Sequence, residues 1–156
     1  MLIRPIRTDD KQWLLSVFHR LSAESRYRRF FSPMKELGES QLHYLTEVDH
    51  HTHEALVASD PDTGEGLGVA RFIRRTSDAT VAEVAVTVVD DWQGRGLGTE
   101  LLHELADRAR EEGVERFSAM VLDGNRAMLE VLRELADVHV TGRDSGVVEL
   151  VMDLPP

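Results

Sequence analysis

The chain has 156 residues, no cysteine and a formal net charge of -10. That length suits one domain with one sizeable core over residues 1–156, and the missing thiols exclude disulfides, thiolate metal sites and any acyl-cysteine route. The acidic balance disfavours nucleic acid and anionic lipid as partners and favours a cationic one, such as a lysine-bearing protein, although it also serves plain solubility.

From the N-terminus, LIRPI (2–6) suits a short edge strand that tolerates Pro5. The stretch MLIRPIRTDDKQW turns charged too soon for a signal-peptide core, and no apolar run approaches the roughly 20 residues of a membrane span. The expectation is a cytoplasmic protein with no anchor. Thr8 fits an N-cap, with Asp9 and Asp10 in a first turn and Trp13, Leu14, Val17, Phe18 and Leu21 at helical spacing. Ser22 fits the cap of a second short helix, ESRYRRFF, which Pro33 would end, and a third helix is expected near 39–48.

The pattern then changes to strands. HEALVAS (53–59), LGVARFIRR (67–75) and VAEVAVTVV (81–89) are separated by turn-rich segments and read as an antiparallel meander. The last of these carries valine on both faces, as a central strand does. A helix follows from about 97 to 112, with Leu97, Leu101, Leu102, Leu105 and Ala109 as its apolar stripe and Gly113 as its stop. RFSAMVL (116–122) reads as a buried strand, Asn125 opens a helix to about Leu135, and DVHVTG with GVVELVMDL closes the chain as a hairpin. The step from 81–89 through a helix to 116–122 requires a right-handed parallel crossover, so the sheet is mixed.

The stretch DDWQGRGLGTELL joins the valine-rich strand to that helix, with glycine at 94, 96 and 98. A helix N-terminus exposes unpaired N–H groups and about half a positive charge, so it stabilises an anion without a basic side chain. Glycines ahead of it permit unusual φ angles and remove the Cβ atoms that would block close approach. A Walker loop would need Lys and Ser or Thr after its last glycine, and a dinucleotide fingerprint would need G-x-G-x-x-G; neither register occurs. An ordinary strand-to-helix turn would need one glycine, not three in alternation.

Gln93-Gly94-Arg95-Gly96-Leu97-Gly98 fits the pattern Q/R-x-x-G-x-G/A, and with this order of elements the chain resembles the GCN5-related N-acetyltransferases, or GNAT family. LSAESRYRRFF, QLHYLTEVDHHTHEALVA and AEVAVTVVDDWQGRGLG further resemble the acetyltransferase domain of bacterial protein-lysine acetyltransferases of the Pat type. The resemblance implies an α+β fold, an α/β/α sandwich whose mixed, mostly antiparallel sheet has a splayed central strand pair flanked by helices. It implies acetyl-CoA as co-substrate, with the pyrophosphate on the backbone of Gln93, Gly94, Arg95, Gly96, Leu97, Gly98 and Thr99, the pantetheine arm along Val86, Thr87 and Val88, and Asn125 bonded to that arm. Asparagine also caps helices, and both roles are open to Asn125.

Acetyl transfer to an amine needs a proton acceptor, because a lysine of pKa about 10.4 is only roughly 0.1% neutral near pH 7.4, a cost of about 4 kcal/mol. Glu83, the one acid within VAEVAVTVV, must be solvated, paired with an arginine such as Arg71, or used; the Pat resemblance places the catalytic glutamate here. The expected activity is acetyl transfer to a primary amine, a protein lysine side chain foremost, by direct attack in a ternary complex. A small-molecule amine acceptor and a non-catalytic acyl-CoA sensor are the alternatives. No metal is expected: His51 and His53 would share a strand face beside His50, but no third ligand is evident. The run SRYRRFF (25–31) either lines the acceptor entrance or packs its helix onto the sheet through Tyr27, Phe30 and Phe31. The family's usual tyrosine after the asparagine is missing from AMLEVLREL, so the thiolate would leave unassisted or through water.

Overall fold

The computed structural model describes residues 1–156. In chain order the elements are β1 (Leu2–Pro5), α1 (Lys11–His19), α2 (Ala23–Phe30), α3 (Glu39–Thr46), β2 (His53–Ser59), β3 (Gly66–Arg74), β4 (Val81–Val88), α4 (Leu97–Glu111), β5 (Arg116–Leu122), α5 (Arg126–Leu135), β6 (His139–Asp144) and β7 (Val147–Asp153). The strands form one sheet in the order β1-β2-β3-β4-β5-β7-β6, so β4 is its middle strand. Every neighbouring pair is antiparallel except β4 with β5. No helix is long and apolar enough to cross a membrane.

The sheet separates two apolar layers. On one side the α4 stripe Leu101, Leu102 and Leu105, all fully buried, packs with Leu56, Phe72, Val84 and Phe117 and with Leu132 of α5. On the other, Leu14 and Phe18 of α1 and Leu42 and Leu45 of α3 meet Ala55, Val57 and Val69. The period of two along β2 explains the division: Leu56 and Ala58 face α4, whereas Ala55 and Val57 face α1 and α3. Burying one such leucine contributes roughly 1.5–3 kcal/mol.

Two helix termini differ from the sequence expectation. Thr8 opens a 3-10 turn, Thr8–Asp10, and α1 starts only at Lys11. Asp10 is the anchor: its carboxylate accepts both Arg4 Nη atoms at 2.8 Å and the Arg7 amide at 2.7 Å. Burial works to raise its pKa, but these donors outweigh it and hold the carboxyl below the ordinary value. The second helix stops before Pro33, because Phe31 turns left-handed at φ 58° and its amide closes on the Tyr27 carbonyl.

A buried carboxylate braces the first layer. Glu54 is 1% exposed, and it receives the Ala55 amide at 3.0 Å and Arg108 Nη2 of α4 at 3.2 Å, with His50 Nδ1 at 2.7 Å. Charge on a core strand is thereby paired across 54 residues of sequence.

Candidate active site

The parallel pair β4–β5 is registered over three positions only, Val81↔Arg116, Ala82↔Phe117 and Glu83↔Ser118. Beyond them β4 stays on β3 as far as Val88, while β5 stays on β7 as far as Leu122. The strands therefore part at Glu83, and the β5-facing backbone edge of Val84 to Val88 has no strand partner. A cavity of ≈ 550 Å³ fills the wedge, walled by β4, β5, α2, α5 and the turn before α4. Glu83, Val86, Thr87, Val88, Gln93, Gly94, Gly96, Leu97, Gly98, Thr99 and Asn125 all line it. Of the residues expected at the site, Arg95 alone does not; its guanidinium stacks over Trp92 at 4.8 Å.

The glycine turn is built as an anion cradle. Gly94 and Gly96 have φ of +78° and +82°, and a Cβ added at either would meet nothing within 4 Å, so the conformation and not crowding requires glycine. Gly98, inside α4, differs: its Cβ would touch Val131, Val86 and Val88 at 3.5–3.7 Å. The amides of Gly94, Arg95, Gly96, Leu97, Gly98 and Thr99 donate to no carbonyl of the chain, and no side chain caps α4. A run of unsatisfied amides at the positive end of a 15-residue helix fits a phosphate or diphosphate.

Gln93 differs from its neighbours, because its side chain is committed. Nε2 donates to the Val88 carbonyl at 3.0 Å and to Ser25 Oγ of α2 at 3.1 Å. Beside it, the Ser22 amide donates to Asp90 Oδ1 at 3.0 Å. Burial tends to raise the Asp90 pKa, and the bonds from Ser22 and Ser25 overcome it to hold the group charged below its ordinary range. The turn and α2 are thus tied together by side chains 68 residues apart. Asn125 caps α5 through its carbonyl, which accepts the Met128 amide at 3.3 Å, and its side-chain N–H groups have no partner in the chain.

Glu83 stands exposed on the cavity wall and forms no ion pair. Arg71, a partner considered for it, is instead engaged elsewhere. That residue is 4% exposed, donates to the Leu45 carbonyl at 3.0 Å and lies 2.9 Å from His53 Nε2. Burial foremost, then the neighbouring Arg29, lowers its pKa to about 9. Burial and the Arg71 charge likewise lower His53 to about 4, so its imidazole is neutral near pH 7 and accepts from Arg71. The Tyr44 ring packs at a tilt against the His53 ring, with centroids 5.1 Å apart.

The histidines do not converge. His53 turns inward to Arg71 and Tyr44, His50 reaches Glu54, and the exposed His51 lies 3.0 Å from Glu112 at the end of α4. His51 and His53 therefore do not share a face. Asp49 folds the segment by accepting the amides of His51, Thr52 and His53 at 2.8–3.0 Å. No group of His, Cys, Asp and Glu is arranged to hold a metal ion. Within SRYRRFF, the run weighed for the acceptor entrance, Ser25, Arg28 and Arg29 of α2 do line the cavity wall. The basic, aromatic character of that run was the only signal for them. Phe31 lines the cavity, whereas Phe30 packs against Phe18 with ring centroids 6.0 Å apart.

Known proteins resemble this chain in sequence and fold. The family model described as Acetyltransferase (GNAT) family matches residues 15–136. Acetyltransferase Pat of Mycolicibacterium smegmatis is 41% identical over 154 residues, which are 99% of this chain and 46% of that protein. The chain thus spans about half the length of that relative. Acetyltransferase PA5475 of Pseudomonas aeruginosa is 33% identical over 84% of this chain and 71% of its own. Among solved structures, the GNAT domain of S. lividans PAT superposes with a TM-score of 0.89 at 36% identity, covering 97% of this chain and 89% of that one.

Proposed function

The chain belongs to the GNAT family of acetyltransferases, and from that membership we propose that it transfers acetyl from acetyl-CoA to a primary amine, foremost a protein lysine side chain, in the cytoplasm. One observation carries the reading: the unsatisfied amides of residues 94–99 and the exposed carboxylate of Glu83 share a single cavity at the parting of β4 and β5.

Each residue has a physical task there. The amides of Gly94 to Thr99 would hold the pyrophosphate, and the unpartnered edge of Val86 to Val88 would pair with the pantetheine arm as a further strand would. The side-chain N–H groups of Asn125 face the same arm. Bound so, acetyl-CoA supplies an activated thioester carbonyl. Glu83 accepts the proton that the attacking amine must shed, directly or through a water, which offsets much of the cost of neutralising a lysine. The acceptor enters along α2, where Tyr27 and Phe31 are 44% and 37% exposed and offer apolar contact to the stem of a lysine. No step needs a cysteine or a metal.

The test is thiol release from acetyl-CoA with a lysine-containing protein and, separately, with free polyamines and amino acids. Acetylated lysine in the protein is the expected product. Turnover of free amines alone would move the acceptor class. CoA binding without turnover of any amine would leave a sensor and remove the enzyme.

A further inference from the structure

The acceptor side of the cavity holds positive charge that the chain does not neutralise. Arg29 lies half-buried on the α2 wall and makes no hydrogen bond or ion pair; its guanidinium lies over the Phe30 ring, with Cζ 4.8 Å from the centroid. Arg71 of β3 does not line this cavity but shares with Arg29 a small neighbouring one walled by Ala85 and Thr87 of β4, and its only hydrogen-bond partners are uncharged, the Leu45 carbonyl and His53. Its neighbour Arg28, by contrast, is paired with Glu24 at 2.7 Å. The chain has 28 acidic residues against 18 basic ones, so these guanidiniums are not unpaired for want of carboxylates.

Two like charges side by side in a poorly hydrated place are costly without a counter-anion. Burial lowers the pKa of Arg29, and Glu83 across the cavity is the one carboxylate that opposes the shift. Glu83 is engaged in the proposed chemistry and forms no ion pair with Arg29. The phosphates of CoA belong at the turn before α4, where neutral amides and not these arginines face them.

We propose that Arg29, backed by Arg71, binds a carboxylate carried by the acceptor, so that the amine is presented to Glu83 with an acidic group of the same acceptor fixed on α2. The inference rests on the acetyltransferase reading and narrows its acceptor. Two sources supply that chemistry, the α-carboxylate of a free amino acid or an acidic side chain next to a lysine in a peptide. Arg29 sets the selectivity, because it is the guanidinium without hydrogen bonds. Arg71 cannot be altered without loosening α3 from the sheet.

Two acceptor pairs test this, with saturating CoA and calorimetric binding. The first is Nα-acetyl-lysine against its N-methylamide; the second is Ac-Glu-Lys-NHMe against Ac-Gln-Lys-NHMe. The expected result is at least about tenfold tighter binding of the charged member of one pair, the size of a charge-assisted bond. In Arg29→Gln that preference disappears, whereas in Arg29→Lys part of it returns. The pair that discriminates identifies the source. Equal binding of both members in both pairs overturns the proposal, as does a preference that survives in Arg29→Gln or the failure of every acceptor to bind. Thiol release with acetyl-CoA separates the two claims. Amines acetylated without regard to a carboxylate remove this inference alone, whereas no release from any amine removes the acetyltransferase reading.

Discussion

The two halves of the cavity are made of different material. The half before α4 is main chain: unsatisfied amides, glycines and a helix end, with no charged side chain turned inward from the loop. The half beneath α2 is side chain: Glu83, Arg29 and, behind them, Arg71 and His53. Backbone amides recognise a phosphate with little regard to what else the ligand carries. Side-chain charge discriminates among ligands and moves protons. A ligand common to a whole family suits the first construction, and a variable acceptor suits the second.

The largest effect expected of a single change lies in the second half. Glu83→Gln keeps the shape and removes the base, so kcat should fall by roughly 10²–10⁴ while CoA affinity stays within about twofold. Thiol release and calorimetry read the two quantities separately. A kcat within tenfold of the parent would take Glu83 out of the chemistry and leave the acceptor half without its base.

The next effect is on stability. The pKa of His53 is lowered to about 4, so between about 6.5 and 4 the unfolded chain binds a proton that the folded chain refuses. Stability contributed by neutral His53 is complete above 6.5 and is lost as pH falls toward 4, by roughly 3 kcal/mol at about 1.4 kcal/mol per unit. Denaturant unfolding at pH 7 and pH 4 measures the loss. His53→Gln keeps an acceptor for Arg71 and should flatten this part of the slope. An unchanged slope would mean that the charge beneath α2 is better hydrated than its burial suggests.

The unequal legibility of the two halves has the same origin as their chemistry. A cradle of amides demands glycine, and glycine at 94 and 96 declares itself in any sequence. The middle position of β4, the crossover to β5 and the cap at Asn125 were equally open to reading, because each follows from a local pattern. The contact of Arg71 with His53 was not, since it depends on the register that puts Arg71 opposite Ala55 of β2. Nor was the tie between Glu54 and Arg108. The start of α1 was misjudged for a related reason: Asp10 was taken by Arg4 from β1, a tertiary choice that cap propensity does not contain. SRYRRFF could be read as an entrance, but which of its residues would face the cavity could not, because no periodicity tells which side of a short helix meets a given loop.

A smaller change tests the main-chain half. Gly96→Val forces a branched side chain into φ +82°, at a cost of about 1–2 kcal/mol. The turn should relax away from its cradle, weakening CoA binding by roughly tenfold while kcat at saturating CoA stays near that of the parent. Loss of kcat with unaltered CoA binding would reverse the roles assigned to the two halves.

The smallest effect asks whether the halves are independent at all. Ser25 Oγ receives Gln93 Nε2 from the turn and lies 3.2 Å from Ser22 Oγ at the cap of α2. Ser25→Ala leaves Gln93 its bond to the Val88 carbonyl but removes the hydroxyl's contacts with Gln93, Ser22 and Asp90, each worth about 0.5–1.5 kcal/mol. Were the hydroxyl only structural, that loss would appear in unfolding stability, and the amine KM would not move. If instead it transmits the set of the turn to α2, the amine KM rises about three- to fivefold while CoA binding barely changes. Combination with Gly96→Val then decides the matter. Independent halves give additive effects on the amine KM, whereas a mechanical link gives an interaction of at least about 0.5 kcal/mol, because the second substitution finds the connection already broken.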